Sequence, residues 1–269
     1  MSSFVNVKNT LMKKLKNFIQ YSIMNNLTPA VKYIVLINIG VSLLCLLFEL
    51  IFEYELQFYI SAYPTYSEHF HFYQLFTFLF VHSTNPTHIV FNGLYLLIFA
   101  PFFERKLGFQ KFIIAYFVCA WIGYIFTNYS YYQDKEIVEK RISDTGINPK
   151  TIRLNDKHKV DDAFFATLNV KQKIAVEEYN YVTSKTHGAS GALFGFIVFY
   201  LFLNVLNYRK IIFIALGFYI LYSNLEAFLE PSSLMNGSCL AHFGGMVGGL
   251  LFVGYYWFLQ KRRTKPILE

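Results

Sequence analysis

Residues 186–200 read "THGASGALFGFIVFY". One hydroxyl, that of Ser190, stands among Gly188, Ala189, Gly191 and Ala192 at the mouth of an apolar run. From Gly188 to Leu206 the chain carries no formal charge. A bilayer-crossing helix takes about 20 mostly apolar residues, so this run has the length of one. Its small leading residues admit two readings. They let membrane helices approach closely, or they clear space around a nucleophilic Ser190. The rest of the chain chooses between them.

The 269 residues are 55% hydrophobic, 20% aromatic and only 15% charged. Soluble domains carry about 25% charged residues, so the composition is that of a polytopic membrane protein. Residues 1–29 hold Lys8, Lys13, Lys14 and Lys16 but no long apolar core before a small-residue cleavage site, so no cleavable signal peptide is expected. Leu11 to Met24 reads either as an amphipathic helix on the membrane surface or as a disordered leader. Cys45, Cys119 and Cys239 have no metal-ligand spacing and read as small packing residues.

Six segments are long and apolar enough to cross: about Tyr33–Ile51, Pro86–Phe103, Phe112–Ser130, the Ser190 segment, Ile211–Phe228 and Cys239–Leu259. The second is preceded by another apolar stretch, "LFTFLFV". Lys and Arg orient the set. Five lie before the first segment, and the links after the second and fourth hold Arg105, Lys106 and Lys111, and Arg209 and Lys210. The tail holds Lys261, Arg262, Arg263 and Lys265, while residues 53–86 and 229–238 hold none. Six crossings put every short basic segment on one side, with both termini cytoplasmic. The net charge of +7 is then accounted for by this rule and by anionic lipid headgroups, and nucleic acid is not an expected partner. The organisation expected is a cytoplasmic segment 1–31, a membrane domain 32–260 and a basic cytoplasmic tail 261–269. Residues 131–187 form an outer insertion with ten Lys/Arg and nine Asp/Glu, which a long loop tolerates. Within it, "DDAFFATLNVKQKIAVEEYNYV" (161–182) has near-helical apolar spacing and predicts one amphipathic helix.

Polar and ionisable groups at membrane depth are functional candidates, because they are expensive there. They are His82, His88 and Asn92 in "FVHSTNPTHIVFN", Ser190, Glu226, and His242 in "AHFGGMVGG". The second, fourth and sixth segments all descend from outside, which puts His88, Asn92, Ser190 and His242 at one depth. A hydrolytic site needs a nucleophile, a base and donors for the developing oxyanion, and these groups are of the right kinds. His88 and Asn92 are i and i+4, on one helix face, and Asn85-Pro86 reads as a helix start. Gly191/Gly195, Gly244/Gly248 and Gly245/Gly249 permit close helix contact that would bring His242 towards Ser190. Phe194, one turn below Ser190, would pack on the imidazole. Three histidines also raise zinc, but no helix carries His-x-x-x-His and the nearest carboxylate is Glu226, so no metal and no other cofactor is expected. Glu226 reads as a snorkelling or hydrogen-bonded residue, and His82 as a partner for a loop carbonyl.

Taken together these motifs resemble the rhomboid family of intramembrane serine proteases over about residues 33–260. "HGASGALFG" resembles the family's Gly-x-Ser-Gly motif, which implies Ser190 as nucleophile, and "AHFGGMVGG" implies His242 as general base. "FTFLFVHSTNPTHIVFN" resembles the His-x-x-x-Asn segment, which implies His88 and Asn92 as oxyanion-hole donors. "FERKLG", with Glu104 and Gly108, resembles a structural Glu-x-x-x-Gly signature. Gly188, Gly191, Phe194, Gly245 and Gly249 take supporting places around the site. The resemblance also implies an outer loop, "HFYQLFTFLFV", dipping partly into the membrane. Two departures stand out. His82 and His88 are six apart where the family usually has five, and the insertion resembles an outer extension of some bacterial relatives.

The fold implied is an all-α, six-transmembrane-helix bundle. The function implied is an endopeptidase that cuts transmembrane segments of membrane proteins near the outer face with a Ser-His dyad. Its partners would be transmembrane substrates and the lipid bilayer, and its place the inner membrane of a bacterium. The alternatives are a catalytically weak or inactive relative that binds membrane helices for quality control, and a transporter. A transporter often carries internal repeats, and none is visible.

Overall fold

The computed structural model describes residues 27–82, 86–152, 160–207, 210–229 and 237–263. The stretch around Leu11–Met24, the Asn85 cap and the end of the tail lie outside the described residues. In chain order the helices are α1 (Pro29–Phe52), α2 (Gln57–Ile60), α3 (Gln74–Thr77) and a 3-10 turn at Phe78–Phe80. There follow α4 (Pro86–Leu107), α5 (Phe109–Asp144), a 3-10 turn at Pro149–Thr151, α6 (Asp162–Ala166), α7 (Val170–Val182), α8 (Ser190–Asn204), α9 (Ile211–Leu229) and α10 (Gly237–Arg263). Of these, α1, α5 and α10 are long and apolar enough to cross a membrane, and α8 and α9 are shorter apolar helices. The chain is an all-α integral membrane protein.

A helix that is apolar on every side must be buried, and α8 is the case here. Gly191 to Leu201 are all buried, enclosed by α4, α5, α10 and, more loosely, α9. The core around its lower half is aromatic. Phe103 of α4 meets Phe199 at 4.2 Å and Phe196 at 4.9 Å between ring centroids, and Phe112 of α5 stacks on Phe196 at 5.0 Å.

Glycine decides how close the helices come. On α10, Gly245 and Gly249 face α8, where an added Cβ would overlap the carbonyls of Gly191 and Gly195. Gly244 and Gly248 instead face α5, against Gly123 and Cys119. The two small-xxx-small pairs therefore serve two different neighbours, and only one bears on the distance between Ser190 and His242.

Glu104 and Gly108 have a local physical account. The first four N–H groups of a helix lack internal partners, and the buried Glu104 carboxylate accepts from Ala30 N and Val31 N at 3.1 Å each. It caps α1 from α4. Gly108 holds a φ of +89° in the turn from α4 into α5, a conformation that favours glycine.

The segment before α4 is held by its carbonyls. Trp121, Tyr124 and Tyr116 of α5 donate to Leu75 O (2.7 Å), Tyr63 O (2.7 Å) and Leu79 O (3.3 Å). Buried Gln74 donates to Tyr59 O and His69 O. Irregular backbone at membrane depth needs such partners.

The insertion differs from expectation in two respects. First, α5 does not stop near Ser130 but runs on to Asp144. Its 36 residues rise about 54 Å, well past a hydrocarbon core of about 30 Å. No Gly or Pro interrupts residues 124–145, and Tyr131, Val138 and Ile142 keep a buried stripe. Second, residues 161–182 form two helices rather than one. Asn169 caps α7 with Gln172 in a reciprocal capping box, which breaks the run after Ala166. Ile142, Ile147, Ala175 and Val176 make a small core there. The insertion meets the membrane domain through Tyr66 Oη donating to Val182 O (2.6 Å) and an antiparallel bridge between Ala62 and Thr186.

Candidate active site

Ser190 is the first residue of α8. The chain reaches it through Gly188, whose φ is +112° and whose N–H donates to Phe78 O at 2.8 Å. A Cβ at Gly188 would lie 3.3 Å from His88 Cε1, 3.4 Å from His88 Nε2 and 3.9 Å from Asn92 Nδ2. Glycine is thus required twice over, by conformation and by the close approach of α4. His88 and Asn92, one turn apart on α4, converge on the backbone two residues ahead of Ser190. Asn92 is buried, and its Nδ2 has no hydrogen-bond partner among the described residues.

His242 lies in the second turn of α10. Its ring stacks on Phe194 with centroids 4.0 Å apart and 7° between planes. Phe194 follows Ser190 by four residues, on the same face of α8, so the imidazole lies over the face that carries the hydroxyl. The backbones set this register. A Cβ at Gly191 would be 3.4 Å from the Ala241 carbonyl oxygen, so the residues next to Ser190 and His242 are in contact. The other ring nitrogen is engaged, with Nδ1 of His242 2.6 Å from Asn224 Oδ1 on α9.

Two more imidazoles border the site. His82 is buried, with Nδ1 donating to Phe80 O at 3.3 Å, and its ring lies edge-on to His88 at 5.4 Å. His187 also lies beside His88, with ring centroids 6.1 Å apart, and its Nδ1 is a buried atom without a partner among the described residues. Among those residues, no group of three or more His, Cys, Asp or Glu is arranged to hold a metal ion. Glu226 is exposed on α9.

The structure therefore gathers Gly188, Ser190, Gly191, Phe194, His242, His88 and Asn92 in one place, with Gly245 and Gly249 as its α8–α10 spacers. Sequence reasoning missed His187 and Asn224. His187 stands in the quoted stretch, three residues before Ser190, and was open to notice. Asn224 is one amide in an apolar helix, and its meaning depends on which helix it faces. The depth of the site follows from helix length. The 15 residues of α8 rise about 22 Å, so they cannot reach both faces of a core about 30 Å thick.

The chain matches one known family. The family model described as "Rhomboid domain" matches residues 69–138 and 163–259, more than half of the chain and every site residue named above. The search of curated proteins and that of solved structures returned no match. With a serine at the head of a buried helix, a histidine on its glycine-packed neighbour and a family match that spans both, the chain belongs to the rhomboid family, as an intramembrane protease or pseudoprotease.

Proposed function

We propose that this protein is an intramembrane serine endopeptidase. Ser190 Oγ attacks the scissile carbonyl while His242 Nε2 takes its proton. The proton then passes to the leaving amine, and water hydrolyses the acyl-enzyme to regenerate Ser190. His88 and Asn92 donate to the oxyanion of each tetrahedral intermediate.

The observation that carries the reading is the orphaned amide of Asn92. A buried donor left unpaired costs about 1–3 kcal/mol, and a site built only for packing has no use for one. An oxyanion formed beside Gly188 supplies the missing acceptor. The packed α8–α10 contact and the Phe194 stack support the same reading for Ser190 and His242.

The membrane arrangement belongs to the proposal. Both termini are cytoplasmic, residues 1–31 and 261–269 flank a membrane domain at 32–260, and 131–187 is extracytoplasmic. The membrane is the inner membrane of a bacterium. Substrates are transmembrane proteins that enter laterally between α4 and α9. In support, α9 leaves Ile212, Phe218, Tyr219 and Tyr222 exposed, a loosely packed apolar face suited to yielding.

Purified protein mixed with a reporter transmembrane protein on a gel tests the reading. Appearance of two fragments supports it, and binding of the reporter without cleavage favours an inactive helix-binding relative. Reporter fusions after Lys111 and Lys210 should face the cytoplasm, and one at Asp156 the outside. A cytoplasmic signal at Asp156 overturns the topology.

A further inference from the structure

We infer that Asn224 is a positioning residue that fixes the tautomer and orientation of His242. The inference rests on the proposed Ser190–His242 chemistry and extends it to a third helix. His242 Nδ1 and Asn224 Oδ1 are 2.6 Å apart, too close for anything but a hydrogen bond with one proton between them. A carboxamide oxygen accepts only, so the proton belongs to Nδ1. The neutral ring then keeps its lone pair on Nε2, the nitrogen a general base needs.

Geometry gives the amide a second task. The Phe194 stack fixes the ring plane but not which edge of the ring faces α9, since a half-turn about the Cβ–Cγ bond keeps the plane and exchanges Nδ1 with Cδ2. A hydrogen bond at Nδ1 excludes that flip and leaves Nε2 free for Ser190. Phe194 and Asn224, from α8 and α9, thus clamp one ring carried by α10. An amide differs from a carboxylate here because it orients the ring and carries no net charge. It stabilises the imidazolium of the transition state only through one dipole. Glu226, two residues along, lies on another face of α9 and is exposed, so it does not stand in for Asn224. Among the described residues, the titratable group that acts on His242 from another helix is His88 on α4.

The test compares Asn224→Leu and Asn224→Asp in the full-length protein in proteoliposomes, with a reporter transmembrane substrate and a pH series. Removing the acceptor should lower kcat by about tenfold to a hundredfold, the worth of one hydrogen bond to a developing cation. KM should change little, and the acidic limb of kcat/KM should move to lower pH because the imidazolium has lost a partner. A carboxylate also accepts only, so Asn224→Asp should restore most of the turnover. Its negative charge should move the same limb to higher pH. The opposed shifts are the signature, since a merely structural loss lowers activity equally at every pH. Asn224→Ala is measured alongside in case the Leu variant does not fold, with the same expectation as Leu. Parental kcat and limb in the Leu or Ala variant overturn the inference, as does a loss of activity with no limb shift in any variant. Ser190→Ala, assayed in parallel, separates the two levels. If it is inactive while the Asn224 variants are silent, only the role of Asn224 falls. If it still cleaves, the chemistry falls and this inference with it.

Discussion

Gly245→Ala adds one methyl group where α10 meets α8, and its effect can be worked from the backbone positions. The new Cβ would overlap the Gly191 carbonyl oxygen and lie 2.7 Å from the Gly191 carbonyl carbon and 3.0 Å from its Cα. Ordinary contact starts near 3.4 Å, so the carbonyl carbon alone must retreat by 3.4 − 2.7 = 0.7 Å, and the oxygen by more. All these atoms are helix backbone, which cannot turn aside as a side chain can. The helices must therefore part by about 1 Å. Overpacking of this kind costs about 1–3 kcal/mol, and a displacement of about 1 Å at reacting groups costs about a hundredfold in rate. His242 is three residues from Gly245 and Ser190 one residue from Gly191, so the separation falls on the pair itself. The assay is kcat and KM on a reporter helix, together with thermal melting in detergent. Gly254→Ala is the control. It lies on the same helix with nothing within 4 Å of its added Cβ, and should be neutral or slightly stabilising because alanine favours helix. A Gly245→Ala protein that cleaves at the parental rate would refute the claim that this contact sets the site.

Three other changes probe separate parts of the account. Asn92→Ala should lower kcat by about a hundredfold to a thousandfold with KM little changed. Asn92→Asp should do no better, since a carboxylate repels the oxyanion, and parental rates in both would make Asn92 a packing residue. Replacing residues 135–180 by a short flexible linker should leave cleavage detectable, because Val182, Thr186 and their bonds to Tyr66 and Ala62 remain. Loss of all cleavage in a folded variant would give the insertion a part in the chemistry. Glu104→Gln leaves one acceptor oxygen for the two N–H groups of Ala30 and Val31. It should lower the melting temperature, by about 1–2 kcal/mol of stability, while the folded fraction keeps its kcat. An unchanged melt would show that the cap contributes nothing.

What could be read ahead of the structure divides by the kind of signal involved. Runs of apolar residues mark membrane helices by length alone, and α1, α4, α8, α9 and α10 each begin or end within a few residues of their expected bounds. Phe194 was legible for a similar reason, since a residue four places after Ser190 has to share its helix face. The continuation of α5 to Asp144 was hidden by Asp134, Lys135, Glu136, Glu139 and Lys140. These charges mark the exit from the membrane, not the end of a helix. The break at Asn169 lay in a capping box too short to disturb the apolar spacing of 161–182. The glycines of α10 were legible as contact residues but not as two sets, because adjacent positions on a helix face different neighbours. The partner of Asn224 could not be found without the fold. Asn224 is marked in its own helix only as the one amide, and its role comes wholly from His242 on the next.

A double-mutant comparison decides whether Ser190 and His242 act as one catalytic unit. Turnover of a reporter helix is measured for Ser190→Ala, His242→Ala and the double variant, with labelling by a serine-directed fluorophosphonate followed in parallel. Serine is a poor nucleophile until a base takes its proton. Each single change should therefore abolish turnover, and the double variant should be little worse than either. The probe should label the parent at Ser190 and leave His242→Ala unlabelled. Cleavage at the parental rate by Ser190→Ala, or labelling of His242→Ala as fast as the parent, would contradict the account.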